Sequence, residues 1–201
     1  MGNMDFDLNV NYQLDRITSS FEEVQFAKKI SSLVNSNGGK LVIGVNNNGK
    51  IVGVYPKDEL ENIPIVITHF CSSPIEFSSE VIEIKNKLLL VLNIHKSTKI
   101  AALTSENTFE YYFRIGETIC IVNKIVQKLW SYEYETLTSC PGSTEELKMV
   151  HKNAHKQTLS QIYSNTNLPK SHVDSLVSWL LYSKQIRMTL VNNLVIYQHL
   201  D

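Results

Sequence analysis

Asn35-Ser36-Asn37-Gly38-Gly39-Lys40-Leu41-Val42-Ile43-Gly44-Val45-Asn46-Asn47-Asn48-Gly49-Lys50-Ile51-Val52-Gly53-Val54 is the stretch on which the fold turns. Residues 40–45 form a near-continuous apolar run, the pattern of a strand in the middle of a sheet. Gly38-Gly39 just before it ends a helix, because glycine tolerates the left-handed conformation there. Asn47-Asn48-Gly49 predicts a hairpin turn with two successive residues at positive φ, returning into a second strand at 50–54. Toward the N-terminus, Ser20-x-x-Glu23 reads as a capping box that opens the helix. Phe21, Val24, Ala27, Ile30 and Val34 recur on one face of that helix. Residues 1–17 read as a strand followed by a turn. Toward the C-terminus, 58–70 is helical in pattern with Pro64 in its middle. Residues 81–84 and 88–94 form a second hairpin around Lys85-Asn86-Lys87, and 109–115 form a strand ending at Gly116. Asn123 is positioned as the N-cap of a helix reaching about 132. The expected class is α+β: a mostly antiparallel sheet with flanking helices.

Thr138-Ser139-Cys140-Pro141-Gly142-Ser143-Thr144 is a turn-rich segment, and the expected division lies there, with one domain at 1–140 and another at 145–201. The second reads as a short helix at 145–151, a helix capped by Thr158, and a turn at Asn165-Thr166-Asn167-Leu168. A longer helix then opens at Pro169, with Ser171 as a second candidate cap. Its apolar stripe is Val173, Leu176, Val177, Leu180 and Leu181. Strand-like segments at 186–190 and 194–197 follow, joined by Val191-Asn192-Asn193. Helix, helix–turn–helix and β-hairpin in this order resembles a winged-helix domain.

The chain has 201 residues, 43% of them hydrophobic and 19% charged, with a formal net charge of −1. That composition belongs to a globular chain and excludes a strongly basic nucleic-acid binder, though not a local basic face. Residues 1–144 carry 13 Lys+Arg against 16 Asp+Glu, and 145–201 carry 6 against 4 with four of the six His. No apolar run approaches the roughly 18 residues of a membrane span. The N-terminus lacks a signal-like apolar segment, and Phe6 stands where a myristoylation motif needs Ser or Thr. A cytoplasmic protein with no membrane partner is the expectation. Cys71, Cys120 and Cys140 match no ligand or disulfide spacing and read as reduced thiols. His151 and His155 lack the glutamate of a zinc-protease motif and read as surface residues. No cofactor motif is present.

The segment 35–54 resembles the signature of the Schlafen AlbA-like domain: an Asn before Gly-Gly, a strand ending Ile-Gly-Val, a polar turn with Gly, and a second Val-Gly strand. Tyr111-Tyr112-Phe113-Arg114-Ile115-Gly116-Glu117-Thr118 is similar to the second signature, an aromatic strand ending Arg-x-Gly and then Ser or Thr. The resemblance covers roughly residues 10–135 and implies a nucleic-acid-binding module. Some members of that family are RNA endonucleases that place paired carboxylates before the first helix and near the Gly-Val turn. Here the first place reads Asn9-Val10-Asn11-Tyr12-Gln13-Leu14-Asp15 and the second Asn46-Asn47-Asn48. Amides are poor ligands for a hard cation, so nuclease chemistry is expected to be absent. Glu22 and Glu23 read as capping residues.

The expected function is that of a non-enzymatic DNA-binding transcriptional regulator. A divergent metal-dependent ribonuclease and a protein-interaction scaffold stand as alternatives. The residues expected to meet nucleic acid are Asn37, Gly38, Gly39, Lys40, Asn46 and Arg114, then Lys170, Ser171, His172, Lys184 and Arg187. For the glycines, turn and packing roles compete with a phosphate cradle; for Arg114, a structural ion pair competes with a phosphate contact. Asp174 and Ser175 complete the expected exposed front of the 169–181 helix. So thin a set of cations implies weak binding or binding as a homodimer.

Overall fold

The computed structural model describes residues 13–97, 99–105, 108–135 and 139–200. It divides into two compact units, 1–121 and 122–201. The division falls earlier than the turn at 138–144. The helix that precedes that turn packs within the second unit, where Ile125 joins the core and the Ser178 hydroxyl donates to the Ile125 carbonyl at 3.0 Å.

The first unit begins with strand β1 (Gln13–Ile17), helix α1 (Glu23–Val34) and strand β2 (Gly39–Ile43). Helix α2 (Pro56–Phe70) follows, then β3 (Phe77–Ile84) and β4 (Lys87–Ile94). These strands make a sheet of order β1-β2-β4-β3, parallel only between β1 and β2. The class is therefore α+β, as expected. β2 lies between two neighbours, and its apolar side chains are buried on both faces. Leu41 and Ile43 meet Phe26, Ile30 and Leu33 of α1, and Val42 packs with Val45, Leu89 and Val91 on the other side. The β3–β4 turn is Lys85-Asn86, both at positive φ, as a two-residue hairpin requires.

The return strand expected at 50–54 does not form. Both edges of β2 are taken by β1 and β4, so the segment has no edge to pair with. It folds over the Val42 face, with one bridge between Val45 and Ile51. The Gly44 carbonyl receives the Val52 and Gly53 N–H groups. Of the turn residues, only Gly49 has positive φ.

The capping box at Ser20 is also absent. Helix α1 starts three residues later, with no side chain bonded at its N-cap, Glu22. The buried Glu59 carboxylate on α2 takes its place, accepting from the Ser19 hydroxyl at 2.6 Å and the Ser20 N–H at 2.7 Å. Phe21 and Val24, expected in the apolar stripe, are exposed, while Phe26 and Leu33 fill the core beside Ala27, Ile30 and Val34. Helix α2 continues through Pro64, with the Thr68 hydroxyl donating to the Pro64 carbonyl at 2.8 Å.

A second sheet in this unit contains β5 (Ala102–Ser105), β6 (Thr108–Ile115) and β7 (Thr118–Ile121), all antiparallel. Only β6 was expected. The buried Asn35, just past α1, ties this sheet to the helix. Its amide donates to the carbonyls of Ala101 (2.7 Å) and Tyr112 (3.0 Å) and accepts the Ala101 N–H (2.8 Å).

The second unit comprises α3 (Lys124–Glu135), α4 (Thr144–Asn153), α5 (Leu159–Asn165), α6 (Lys170–Tyr182), β8 (Ile186–Val191) and β9 (Leu194–His199). Asn123 caps α3 as expected, accepting from the N–H groups of Ile125 and Val126. Thr158 caps α5 in a capping box with Gln161, and Ser143 caps α4 with Glu146. Ser171 lies inside α6, whose N-cap is Pro169, so its expected capping role does not hold. Val173, Leu176, Val177 and Leu180 are fully buried against Val150, Ile162, Ile186 and Tyr197. The β8–β9 hairpin turns on Asn192-Asn193, both at positive φ, and Gln157 bridges to Tyr197. Among the described residues, no helix is long and apolar enough to cross a membrane.

Candidate nucleic-acid interface

Arg114 is the one strong cation of the second sequence signature. β6 carries it inward, with 6% of its surface exposed. Its guanidinium forms an ion pair with Asp15 of β1, and Nε donates to the Ser32 hydroxyl at 3.0 Å. Nη1 donates to the Glu117 carbonyl at 3.3 Å, and the Arg114 N–H donates to the Ser36 hydroxyl at 2.8 Å. Lys29 of α1 also reaches Asp15, at 2.8 Å. Burial alone raises the Asp15 carboxyl; Lys29, Arg114 and the Arg16 N–H outweigh it and hold the carboxyl below its ordinary range. Of the two roles open to Arg114, the geometry selects the ion pair. Its partners Asp15, Ser32 and Ser36 are not visible from local sequence, because they lie about 80–100 residues away in the chain.

The glycine-rich stretch is built for close packing. A Cβ on Gly38 would lie 2.4 Å from the Ile94 carbonyl oxygen, and the Gly38 N–H is already donated to Leu33. Gly39 is buried and paired in the sheet between Gln13 and Ile94. Neither is available as a phosphate cradle. Asn46 shapes its own turn, its amide oxygen accepting from Asn48 and Lys50. Lys40 is half-buried, with Glu80 3.6 Å away. Asn37 is exposed.

In the second unit, Lys170 and Ser171 are exposed at the start of α6. The Lys170 ammonium sits over the Tyr163 ring at 5.6 Å, and His172 Nε2 lies 3.4 Å from Glu146. That nitrogen is buried and makes no hydrogen bond among the described residues. Asp174, expected at the exposed front, is buried and bonded to the Tyr163 hydroxyl, where it locks α5 to α6. Burial and then Asp174 push the Tyr163 hydroxyl's pKa up. Ser175 receives the Lys128 ammonium at 2.9 Å. Lys184 is exposed. Arg187 is exposed on β8 opposite Gln198 of β9, and with the Gln198 amide turned to accept, Nη2 and Nε donate to it at 2.8 and 2.7 Å.

The residues expected at the interface thus fall into two sets. Arg114, Gly38, Gly39 and Asn46 hold the first unit together. Asn37, Lys40, Lys170, Ser171, Lys184 and Arg187 reach solvent, and His172 is half-buried beside Glu146. Among the described residues, no group of three or more His, Cys, Asp or Glu is placed to hold a metal ion.

Among solved structures, the DIP2311 protein from Corynebacterium diphtheriae aligns over 74% of this chain at 14% identity and a TM-score of 0.46. This chain spans only 26% of that protein. The N-terminal domain of a RecG-related protein from Nitrosomonas europaea aligns over 59% of this chain and 88% of its own length, at 16% identity and a TM-score of 0.41. Among curated proteins none matches. The family model described as "Schlafen, AlbA_2" matches residues 8–123, more than half of the chain. That match takes in β1 to β7, with the Asn35–Gly39 corner and the buried Arg114, and the chain belongs to the Schlafen AlbA_2 family.

Proposed function

We propose that this is a cytoplasmic nucleic-acid-binding protein, selective for DNA over RNA, that regulates transcription and carries out no chemistry itself. The family assignment of the first unit supports an association with nucleic acid. The observation that carries the DNA reading is the order of the second unit: α4, α5, α6 and a β8–β9 hairpin, with Gln157 bridged to β9. A winged helix has this order, and it would place the start of α6 in a major groove and the hairpin beside the backbone. Lys170 and Ser171 at that helix start, with Lys184 and Arg187 at the base of the hairpin, are the exposed groups suited to those contacts. So few cations suit a dimer better than a monomer.

The absence of chemistry rests on Asp15. Its oxygens are occupied by Lys29, Arg114 and the Arg16 N–H, which leaves it ill-suited to holding a divalent ion against a phosphate. The test is a low-salt polarisation assay with duplex and single-stranded DNA and with RNA. Duplex DNA bound more tightly than RNA supports the reading, and no binding tighter than about 10⁻⁴ M overturns it.

A metal-dependent ribonuclease is the second reading, because Glu22 and Glu23 are exposed and do not form the expected capping box. RNA cleavage with Mn²⁺ or Mg²⁺ that is lost on Glu22→Ala or Glu23→Ala would establish it.

A further inference from the structure

The cations of the second unit concentrate away from the start of α6. Of the eight Lys and Arg in 122–201, four (Lys148, Lys152, Lys156 and Lys184) lie on the segments that meet at the C-terminal end of α4. Lys148, His151 and Lys152 follow at i, i+3 and i+4 on one face of α4, and the exposed His155 lies two residues past the helix end. Leu147, Val150 and Ala154 face the core instead. His199, at the end of β9, closes the group. Its ring stacks on His151 with centroids 4.1 Å apart and planes 1° from parallel, and it lies 5.0 Å from His155. His199 Nε2 is 2.7 Å from the His151 carbonyl. A carbonyl only accepts, so Nε2 carries the hydrogen and Nδ1 is left to take up a proton. The Leu200 N–H donates to the Gln185 carbonyl at 3.3 Å, which sets Lys184 near the end of β9.

Among the described residues no carboxylate lies within ion-pair distance of this group. Both acids of α4 are in its first turn, where Glu146 is held by Ser143 and faces His172. Asp174 is buried against Tyr163. Arg187 lies on β8, one position on from Ile186, the partner of His199, and so projects to the opposite face. Lys148, Lys152, Lys156 and Lys184 form no ion pair among the described residues. Asp201 lies outside the described residues.

We infer that the C-terminal end of α4, with His199 of β9, is a second nucleic-acid contact, a proton-dependent surface for the phosphate backbone. The inference rests on the DNA-binding reading above and adds to it a place and a pH dependence. The lysines supply charge at any working pH. The imidazoles add charge only on protonation, and the stacked pair resists taking up two protons. Burial and then the neighbouring His199 hold the His151 pKa below its ordinary value. A phosphate at the surface favours the charged forms, so binding takes up protons and tightens as the pH falls through the histidine range.

The experiment is polarisation of a labelled duplex against the full chain at about pH 6 and about pH 8, either side of the ordinary histidine pKa. Titrations at several salt concentrations are run at each pH. A rise of one unit in a single imidazole's pKa on binding corresponds to about tenfold tighter binding at the lower pH. His155→Gln with His199→Gln cuts that difference to what His151 alone supplies; glutamine at 199 keeps an N–H for the His151 carbonyl. His155→Gln alone, at an exposed position, reduces the difference and serves if the double variant does not fold. Lys148→Gln with Lys152→Gln lowers the salt slope by about 2 at both pH values. If the duplex binds equally at both pH values, or if these variants change nothing while Lys170→Gln and Arg187→Gln weaken binding, the inference is overturned and the DNA-binding reading survives. If no probe binds the unaltered chain, both are overturned.

Discussion

Replacing Arg114 by Met keeps most of the side-chain volume and removes the charge. If Arg114 is structural, the loss appears in stability. The substitution strips Asp15 of one of its two cationic partners and leaves the Ser32 hydroxyl and Glu117 carbonyl without their donor. Breaking a buried pair by removing one partner costs about 3–5 kcal/mol. Asp15 is partly exposed and keeps Lys29, so the lower end applies, about 3 kcal/mol. At a urea slope of about 2 kcal/mol/M, the midpoint falls by about 1.5 M. The probe matters, because both tryptophans, Trp130 and Trp179, belong to the second unit. Far-UV circular dichroism reports the first unit's transition, and tryptophan fluorescence serves as the reference for the second. The pH dependence has a definite sign. A carboxyl held below its unfolded value contributes stability that is fully present above that value and is lost as the pH falls through the folded one. With Arg114 gone the folded value moves up toward the unfolded one, so the contribution shrinks and its loss is complete at a higher pH. An unchanged circular-dichroism midpoint combined with lost nucleic-acid binding would refute this reasoning and make Arg114 a ligand contact.

Asn35→Ala removes three hydrogen bonds between α1 and the second sheet and strands buried main-chain groups of Ala101 and Tyr112. It is expected to destabilise the first unit by about 3 kcal/mol in the same urea assay. Tyr163→Phe leaves the buried Asp174 without its hydroxyl donor; a loss of about 2 kcal/mol is expected in the tryptophan-fluorescence transition. Cys71 is buried, and burial pushes its thiol up to about 12. A thiol reagent at about pH 8 should therefore modify Cys71 only after denaturation.

Features set by residues a few positions apart were legible in the sequence. The apolar run at 40–45 marked the central strand β2, Asn123 marked the start of α3, and Asn192-Asn193 marked the turn of the last hairpin. Partners supplied from a distance were not legible. Glu59 serves the segment before α1 from 39 residues away, so the Ser20 capping box was a sound local inference overridden by tertiary structure. The hairpin expected after β2 failed because β1 and β4 had already taken both of its edges. Strands β5 and β7 are four residues each, too short to show alternation. Within the candidate interface, residue type placed Asp174 at an exposed front and left Arg114 between an ion pair and a phosphate contact, whereas α1, β1 and α5 supply the partners that bury them. His151 and His155 were visible as an i,i+4 pair. The third ring, His199, arrives only through the pairing of β9.

Binding to the phosphate backbone of DNA underlies both proposals above. Its most direct test is the affinity for a labelled duplex measured across a series of salt concentrations at fixed pH. Saturable binding tighter than about 10⁻⁴ M is expected, with log K falling linearly against log salt by about 0.9 for each phosphate neutralised. Binding that is absent at low salt, or that does not change with salt, would contradict it.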